Sequence, residues 1–325
     1  MTYTKSVLLP VSPDEAFALI TEPERLRRWQ TVTARIDLRA GGEYRWTVTP
    51  GHVAAGTVVE VEPGRRVVLG WGWEGHPELA AEGSTVTFTV EPVEGGTRVT
   101  LEHAGLTDEQ AVHHAEGWEH FVARLEKAAT TGDAGPDEWA AMPQAIDELS
   151  SAEATLAVLQ PVLRGLTAED RSRQTPCAEY DGHALAEHLT RSIVGIGSLA
   201  GAKVVTPEEG SLEHRISTMA GQAIEAWTHR GLEGGTEGES GLTAREAVGI
   251  LSLEFLIHAW DFAQTSGQQV TVSEELAGYV LGIGEQLIPG GRSGGSFAEP
   301  VAVPAGAGAL DRLVALSGRQ VPVAA

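Results

Sequence analysis

Two hydrophobic periods meet near residue 132, and a chain that changes period in this way has to build two different kinds of core. From Tyr3 to Glu102 apolar residues alternate with polar ones in short runs, "GEYRWTVTP", "GTVVEVEPG", "RRVVLGWGWEG", "STVTFTVEP" and "TRVTLEHAG", parted by turns that carry Gly or Pro. That is the period of strands with one buried face. Beyond "TTGDAGPDEW", a stretch of linker composition, the period becomes helical. Amphipathic segments lie near 138–164, 181–201, 211–230, 243–266 and 273–288. The division that follows is a first domain over 1–130, a linker over 131–137 and a helical domain over 138–290. A tail over 291–325, rich in Gly, Pro, Ala and Val, either packs on the helices or is flexible.

Two helices interrupt the strand-like half. The first is expected from about Ser12 to Trp29, with Ser12 as cap, Pro13 in the first helical position and acids in the first turn. The second runs from about Thr107 to Ala129 and carries Val112, Trp118, Phe121, Val122 and Leu125 along one side. An antiparallel sheet followed by a long helix is an α+β arrangement. In the second half, four long helices with these connections predict a four-helix bundle, in which facing helices pool side chains into a core site. The fold class is therefore multidomain, an α+β domain followed by an all-α bundle.

The chain has 325 residues, with 45 acidic against 23 basic ones and a formal net charge of −22 spread along its length. Such a field repels phosphate backbones and anionic lipid, so neither nucleic acid nor membrane is an expected partner. No apolar run approaches the roughly 20 residues that span a bilayer, and "MTYTKSVLLPVSPDEAF" lacks a signal-peptide profile, so a cytoplasmic protein is expected, as monomer or homodimer. Cys177 is the single cysteine, which excludes an intramolecular disulfide and any paired-cysteine metal site. A metal here would need His and carboxylate ligands.

The segment "EFLIHAWDFAQ", residues 254–264, places Glu254, His258 and Asp261 in an otherwise apolar helix. Their spacing of i, i+4, i+7 puts all three on one face. An unpartnered carboxylate in an apolar interior is costly, so a metal ion, a buried ion pair or a solvent-filled cleft has to compensate it. His188, in "GHALAEHLTRSIVGIG", lies beside the ridge of Leu185, Leu189, Ile193 and Ile196 and faces inward. Two histidines and a carboxylate suit zinc, nickel or iron(II) and leave positions open for water, thiolate or substrate. The alternative is an i, i+4 ion pair between Glu254 and His258, with His188 packed in the core. His183 is the rival third ligand, on a different face and nearer the helix start. Asp261 is placed to orient His258 from one turn away or to bond between helices. Cys177 has no adjacent base and reads as packing.

The segments "QTPCAEYDGHALAEHL", "EFLIHAWDFAQTSGQ" and "FAEPVAVPAGAGALDRLVALSGR", in that order, resemble the mycothiol-dependent maleylpyruvate isomerase-like proteins of the DinB superfamily. The resemblance covers roughly residues 140–320. It implies an actinobacterial DinB-like four-helix bundle holding one divalent metal, zinc first and nickel or iron next, with ligands that fall on His188, Glu254 and His258. It also implies a metal-presented low-molecular-weight thiol, with mycothiol as co-substrate, adding to an electrophile. The tail is short and no second α/β domain follows, a departure from the isomerase proper.

The first half resembles another group. "VSPDEAFALITEPERLRRW", "GGEYRW", "GTVVEVEPGRRVVLGW", "STVTFTVEP…GGTRVTLEHAGL" and "HHAEGWEHFVARL" look like the START-like (SRPBCC) proteins related to the activator of heat-shock-protein-90 ATPase. That resemblance implies a helix-grip fold, in which a curved sheet wraps a long helix around a cavity for hydrophobic small molecules. Trp46, Trp71, Trp73 and Trp118 are the candidate cavity-lining residues, and His103 and His114 the candidate polar groups at its mouth.

The leading expectation is a metal-dependent enzyme, a thiol transferase or isomerase in kind. It would activate a mycothiol-like thiol or water toward a small electrophilic or hydrophobic molecule bound by the START-like domain. One rival makes the START-like domain the catalytic unit, cyclase- or dehydratase-like, and the bundle an accessory. The other is a non-enzymatic small-molecule binder.

Overall fold

Pro23 divides what the sequence reads as one helix from Ser12 to Trp29. The residue before a proline is pushed out of the helical region. Glu22 accordingly takes an extended conformation, which ends α1 (Pro13–Thr21) and starts α2 (Pro23–Leu26). The computed structural model describes residues 1–143, 145–238 and 241–321. They form two compact units, Met1–Asp137 and Glu138–Ala325, the last four residues of the second lying outside the described set.

In the first unit, seven antiparallel strands form one sheet. They are β1 (Thr2–Leu9), β2 (Thr33–Ile36), β3 (Glu43–Thr49), β4 (His52–Glu62), β5 (Arg66–Trp71), β6 (Ser84–Val93) and β7 (Gly96–Ala104). Their order is β1-β7-β6-β5-β4-β3-β2. All neighbours after β2 are joined by meander connections, while β1 returns to pair with β7, from Thr2 opposite Ala104 to Leu9 opposite Thr97. Alternation sends Tyr44 and Trp46 of β3, Val67, Leu69 and Trp71 of β5, Phe88 of β6 and Leu101 of β7 into one core.

The helix that covers this core is α3 (Asp108–Thr131), which contributes Trp118, Phe121 and Leu125. A capping box starts it: the Gln110 N–H donates to Thr107 Oγ1 at 3.2 Å, and the Thr107 N–H donates to Gln110 Oε1 at 2.9 Å. Val112, expected on the buried side, is 71% exposed instead, because the buried stripe of this helix begins only at Trp118.

The second unit is helical. Its elements are α4 (Glu138–Ala141), α5 (Glu148–Gly165), α6 (Ala168–Arg171), α7 (Gly182–Ser198), α8 (Leu212–Arg230), α9 (Ala244–Ser266), α10 (Glu274–Ser293) and α11 (Ala309–Leu316). The helix expected over 138–164 is broken, since Pro143 disfavours continuation after Ala141 and Asp147 caps a fresh start, accepting from the Ser150 N–H at 2.8 Å. Conversely, α10 continues through Pro289, where the expected helix stopped at 288.

Helix α9 is the centre of this unit and packs on α5, α7, α8, α10 and α11. It is buried on nearly every side from Ala244 to Ala263, so it has no broad solvent-exposed face. Among the described residues, no helix is long and apolar enough to cross a membrane.

The segment after α10 is tied to the helices. The Ala309 N–H at the start of α11 donates to Glu274 Oε1 at 2.8 Å, the Arg292 Nη2 donates to the Leu316 carbonyl at 2.7 Å, and Leu313 and Val314 are fully buried.

Candidate functional site

Two capped helices bring the polar groups of the bundle together. On α9, Thr243 forms a capping box with Glu246, and Gly267 in the left-handed region closes the other end. On α7, Asp181 accepts from the Ala184 N–H at 2.8 Å. Gly182 follows, and a Cβ there would lie 2.8 Å from the Arg171 backbone, so only glycine lets α7 start against the preceding loop.

The register fixed in this way sets His188 of α7 across from Glu254 and His258 of α9. His188 Nε2 lies 3.2 Å from Glu254 Oε2, and His258 Nε2 lies 3.4 Å from the same oxygen. The two imidazole planes are nearly perpendicular, with centroids 5.2 Å apart. Among the described residues, these three form the one group of three potential ligand atoms lying within 4.8 Å of one another. His183 is exposed and is not part of it.

Despite those short distances, Glu254 Oε2 is buried with no partner that meets hydrogen-bond geometry among the described residues. Two ring nitrogens and one carboxylate oxygen converge here at distances that suit either an ion pair or a shared cation. Burial works against the Glu254 charge, but His188 and His258 outweigh it and hold the carboxyl below its usual range. Burial also opposes the charge on His258, yet Asp261 and Glu254 push it up to about 9.

Asp261 is fully buried, and its Oδ2 lies 2.9 Å from His258 Nδ1. A carboxylate there accepts a hydrogen bond from the Nδ1–H, which fixes the ring and turns Nε2 toward Glu254 and His188. A fourth residue, invisible to helical spacing, completes the group. Arg319, beyond α11, reaches Asp261 with two prongs, Nε to Oδ1 at 3.2 Å and Nη2 to Oδ2 at 2.9 Å. Burial acts against the Asp261 charge, and His258 and Arg319 together hold it low.

Two further residues of the "TPCAEYDG" stretch border the site. Tyr180 stacks on His188 with centroids 5.1 Å apart and 24° between planes. Cys177 is half-buried, and burial pushes its thiol up while nearby Arg319 opposes the rise.

In the first unit, Trp71 is the hub of the aromatic candidates. Its ring centroid lies 5.9 Å from Trp46, 5.7 Å from Trp73, 6.0 Å from His103 and 5.5 Å from Trp118. His103 and His114 are 4.9 Å apart. His103, however, is not at a cavity mouth; it is wholly buried.

Its Nδ1 accepts from the Trp118 indole at 3.1 Å, so its proton sits on Nε2 and is donated to Ser84 Oγ at 2.8 Å. The Ser84 hydroxyl in turn donates to the Trp71 carbonyl at 3.1 Å. His114 Nε2 accepts from the Trp73 indole at 3.0 Å, and its Nδ1 donates to the Gln110 carbonyl at 2.8 Å. All four ring nitrogens are therefore occupied. By contrast, the indole N–H groups of Trp46 and Trp71 are buried without a hydrogen-bond partner among the described residues.

A sheet wrapped on a long helix around an aromatic layer defines a START-like domain, a fold suited to ligand binding or cyclase-like chemistry. More narrowly, residues 10–130 match the family of Activator of Hsp90 ATPase homolog 1-like proteins, and this N-terminal region is a domain of that kind.

Several solved structures are similar to the chain. The AHSA1-like protein RHE_CH02687 from Rhizobium etli is 31% identical, with 45% of this chain and 89% of that chain covered and a TM-score of 0.36. CalU16 from Micromonospora echinospora is 28% identical, with 42% and 77% covered and a TM-score of 0.35. DynU16, from the dynemicin biosynthetic locus, is 23% identical with a TM-score of 0.37; the match covers 41% of this chain and 48% of DynU16, so the chain spans about half its length. A curated relative, the uncharacterized protein Rv0738 of Mycobacterium tuberculosis, is 28% identical over 185 residues, which cover 54% of this chain and 100% of the relative.

Two outcomes follow from these environments. Burial, reinforced by His114, pulls the His103 imidazole down to about 3. The unfolded chain thus binds a proton that the folded one refuses, so stability is full above about pH 6.5 and falls as pH drops toward 3, by up to about 1.4 kcal/mol per pH unit. Urea denaturation followed by tryptophan fluorescence between pH 7 and 4 should show this slope, and His103→Gln should flatten it. The raised thiol of Cys177 should alkylate with iodoacetamide more slowly at pH 7 than a free small thiol does, a gap that closes as pH rises.

Proposed function

We propose that the protein is a metal-dependent enzyme acting on a small electrophilic molecule, in which the helical unit holds one divalent cation and the START-like unit binds the substrate. The observation that carries this reading is the convergence of His188 Nε2 and His258 Nε2 on Glu254 Oε2, at 3.2 and 3.4 Å, with the three ligand atoms within 4.8 Å of one another. His188, Glu254 and His258 would hold the cation, with zinc preferred on donor chemistry and nickel or iron(II) next. Bound there, it would supply Lewis acidity that lowers the pKa of a small thiol or of water at neutral pH. The resemblance of this unit to the DinB-like, mycothiol-dependent isomerases favours the thiol.

The chain's own residues supply the rest. Asp261 accepts a hydrogen bond from the Nδ1–H of His258, so that ring is held with its other nitrogen inward. Tyr180 lies flat against His188 and limits its rotation. Three protein ligands leave room for an exogenous one.

A second reading rests on the first unit. The buried, unpartnered indole donors of Trp46 and Trp71 favour a ligand carrying an acceptor oxygen, with the START-like domain as the binding or cyclase-like unit and the bundle as accessory.

Metal analysis of untagged protein purified without chelator should give close to one equivalent per chain, and a value near zero would sink the first reading. Glu254→Ala should abolish that occupancy while leaving the tryptophan fluorescence of the first unit unchanged, and His183→Ala should bind metal like the parent. Turnover of an electrophilic substrate should require an added small thiol. Indifference to thiol would point to water as the nucleophile or to the second reading.

A further inference from the structure

Arg319 is nearly buried, stands 58 residues from its carboxylate partner, and belongs to the segment that follows the long helices. Its approach is built rather than incidental. The α11 helix ends with the Ser317 N–H on the Leu313 carbonyl, and the Arg319 N–H then donates to the Val314 carbonyl at 3.0 Å. Between them Gly318 sits at φ +91°, in the left-handed region, where a Cβ would lie 2.6 Å from that of Ala298. Only glycine takes this turn, and the turn aims the next side chain inward. The guanidinium then grips both oxygens of Asp261, and its Nη1 donates to the Ser317 carbonyl at 3.2 Å.

We propose that Arg319 is a positioning residue of the cation site: by clamping Asp261 in one rotamer it fixes the ring of His258, so the C-terminal segment sets metal affinity without touching the metal. The inference rests on the metal reading above. A two-pronged Arg–carboxylate contact fixes orientation as well as charge, which a lysine ammonium at the same place does not. Supporting partners of this kind change metal affinity by about 10- to 100-fold when removed.

The test uses the full chain with zinc or cobalt(II) alone. Zinc affinity is read by competition with a chromogenic chelator, and ligand geometry by the visible absorption of the cobalt(II) form. Arg319→Met is expected to weaken zinc about 10- to 100-fold and to change the cobalt(II) bands, with Arg319→Lys recovering part of the loss. Asp261→Asn should weaken zinc similarly, and the double variant should lose no more than the worse single one, because both act through one ring.

Zinc affinity of Arg319→Met within about twofold of the parent, with unchanged bands, would overturn the proposal, as would full additivity in the double variant. If Arg319→Met fails to fold by circular dichroism, folded Arg319→Lys decides: parental affinity and bands would overturn the proposal, and weaker zinc with altered bands would support it. A parent that binds neither metal would instead end the metal reading itself.

Discussion

A helix buried on nearly every side has to settle the charges it turns inward, and in the second unit α9 carries Glu254, His258 and Asp261. Buried charges persist only with partners and full hydrogen bonding, since desolvation otherwise exceeds what a single attraction returns. The rest of the bundle is organised around that requirement. Helix α7 delivers His188, the loop before it delivers Tyr180 against His188, and the segment after α10 delivers Arg319. Asp261 is satisfied by Arg319 and His258, whereas Glu254 Oε2 has only the looser approaches of His188 and His258, at 3.2 and 3.4 Å. The polar stripe thus has one closed end and one open end.

The two units treat their buried histidines in opposite ways. His103 spends both ring nitrogens on Trp118 and Ser84, which makes it a part of the core. His258 spends only Nδ1, on Asp261, and keeps Nε2 turned toward Glu254 and His188. A ring with both nitrogens committed stiffens a domain and does nothing else. A ring with one nitrogen committed and the other turned to a carboxylate and a second imidazole is placed for coordinating or proton-moving chemistry. This contrast weighs against acid-base catalysis by His103.

Much of this was legible in the chain because it depends on short-range spacing. The i, i+4, i+7 pattern of residues 254, 258 and 261 and the ridge beside His188 fix faces directly, and the alternating runs of the first half fix a sheet. Arg319 was not legible, since its contact depends on the turn at Gly318 and on where α11 docks, neither of which has a periodic signature. His103 was misplaced at a cavity mouth for a related reason. Strand alternation shows that it points inward, but not that Trp118 and Ser84 close over it from other elements. The breaks at Pro23 and Pro143 are local rules that amphipathic periodicity overran.

The 58 residues between Asp261 and Arg319 also impose an order in time. A ribosome needs about 3 to 12 s to add that length of chain at ordinary rates. Throughout that interval α9 exists without the cation that neutralises its most buried carboxylate. The bundle's central helix is therefore completed by a residue made well after it, and vectorial synthesis leaves its locking until the segment beyond α11 has emerged.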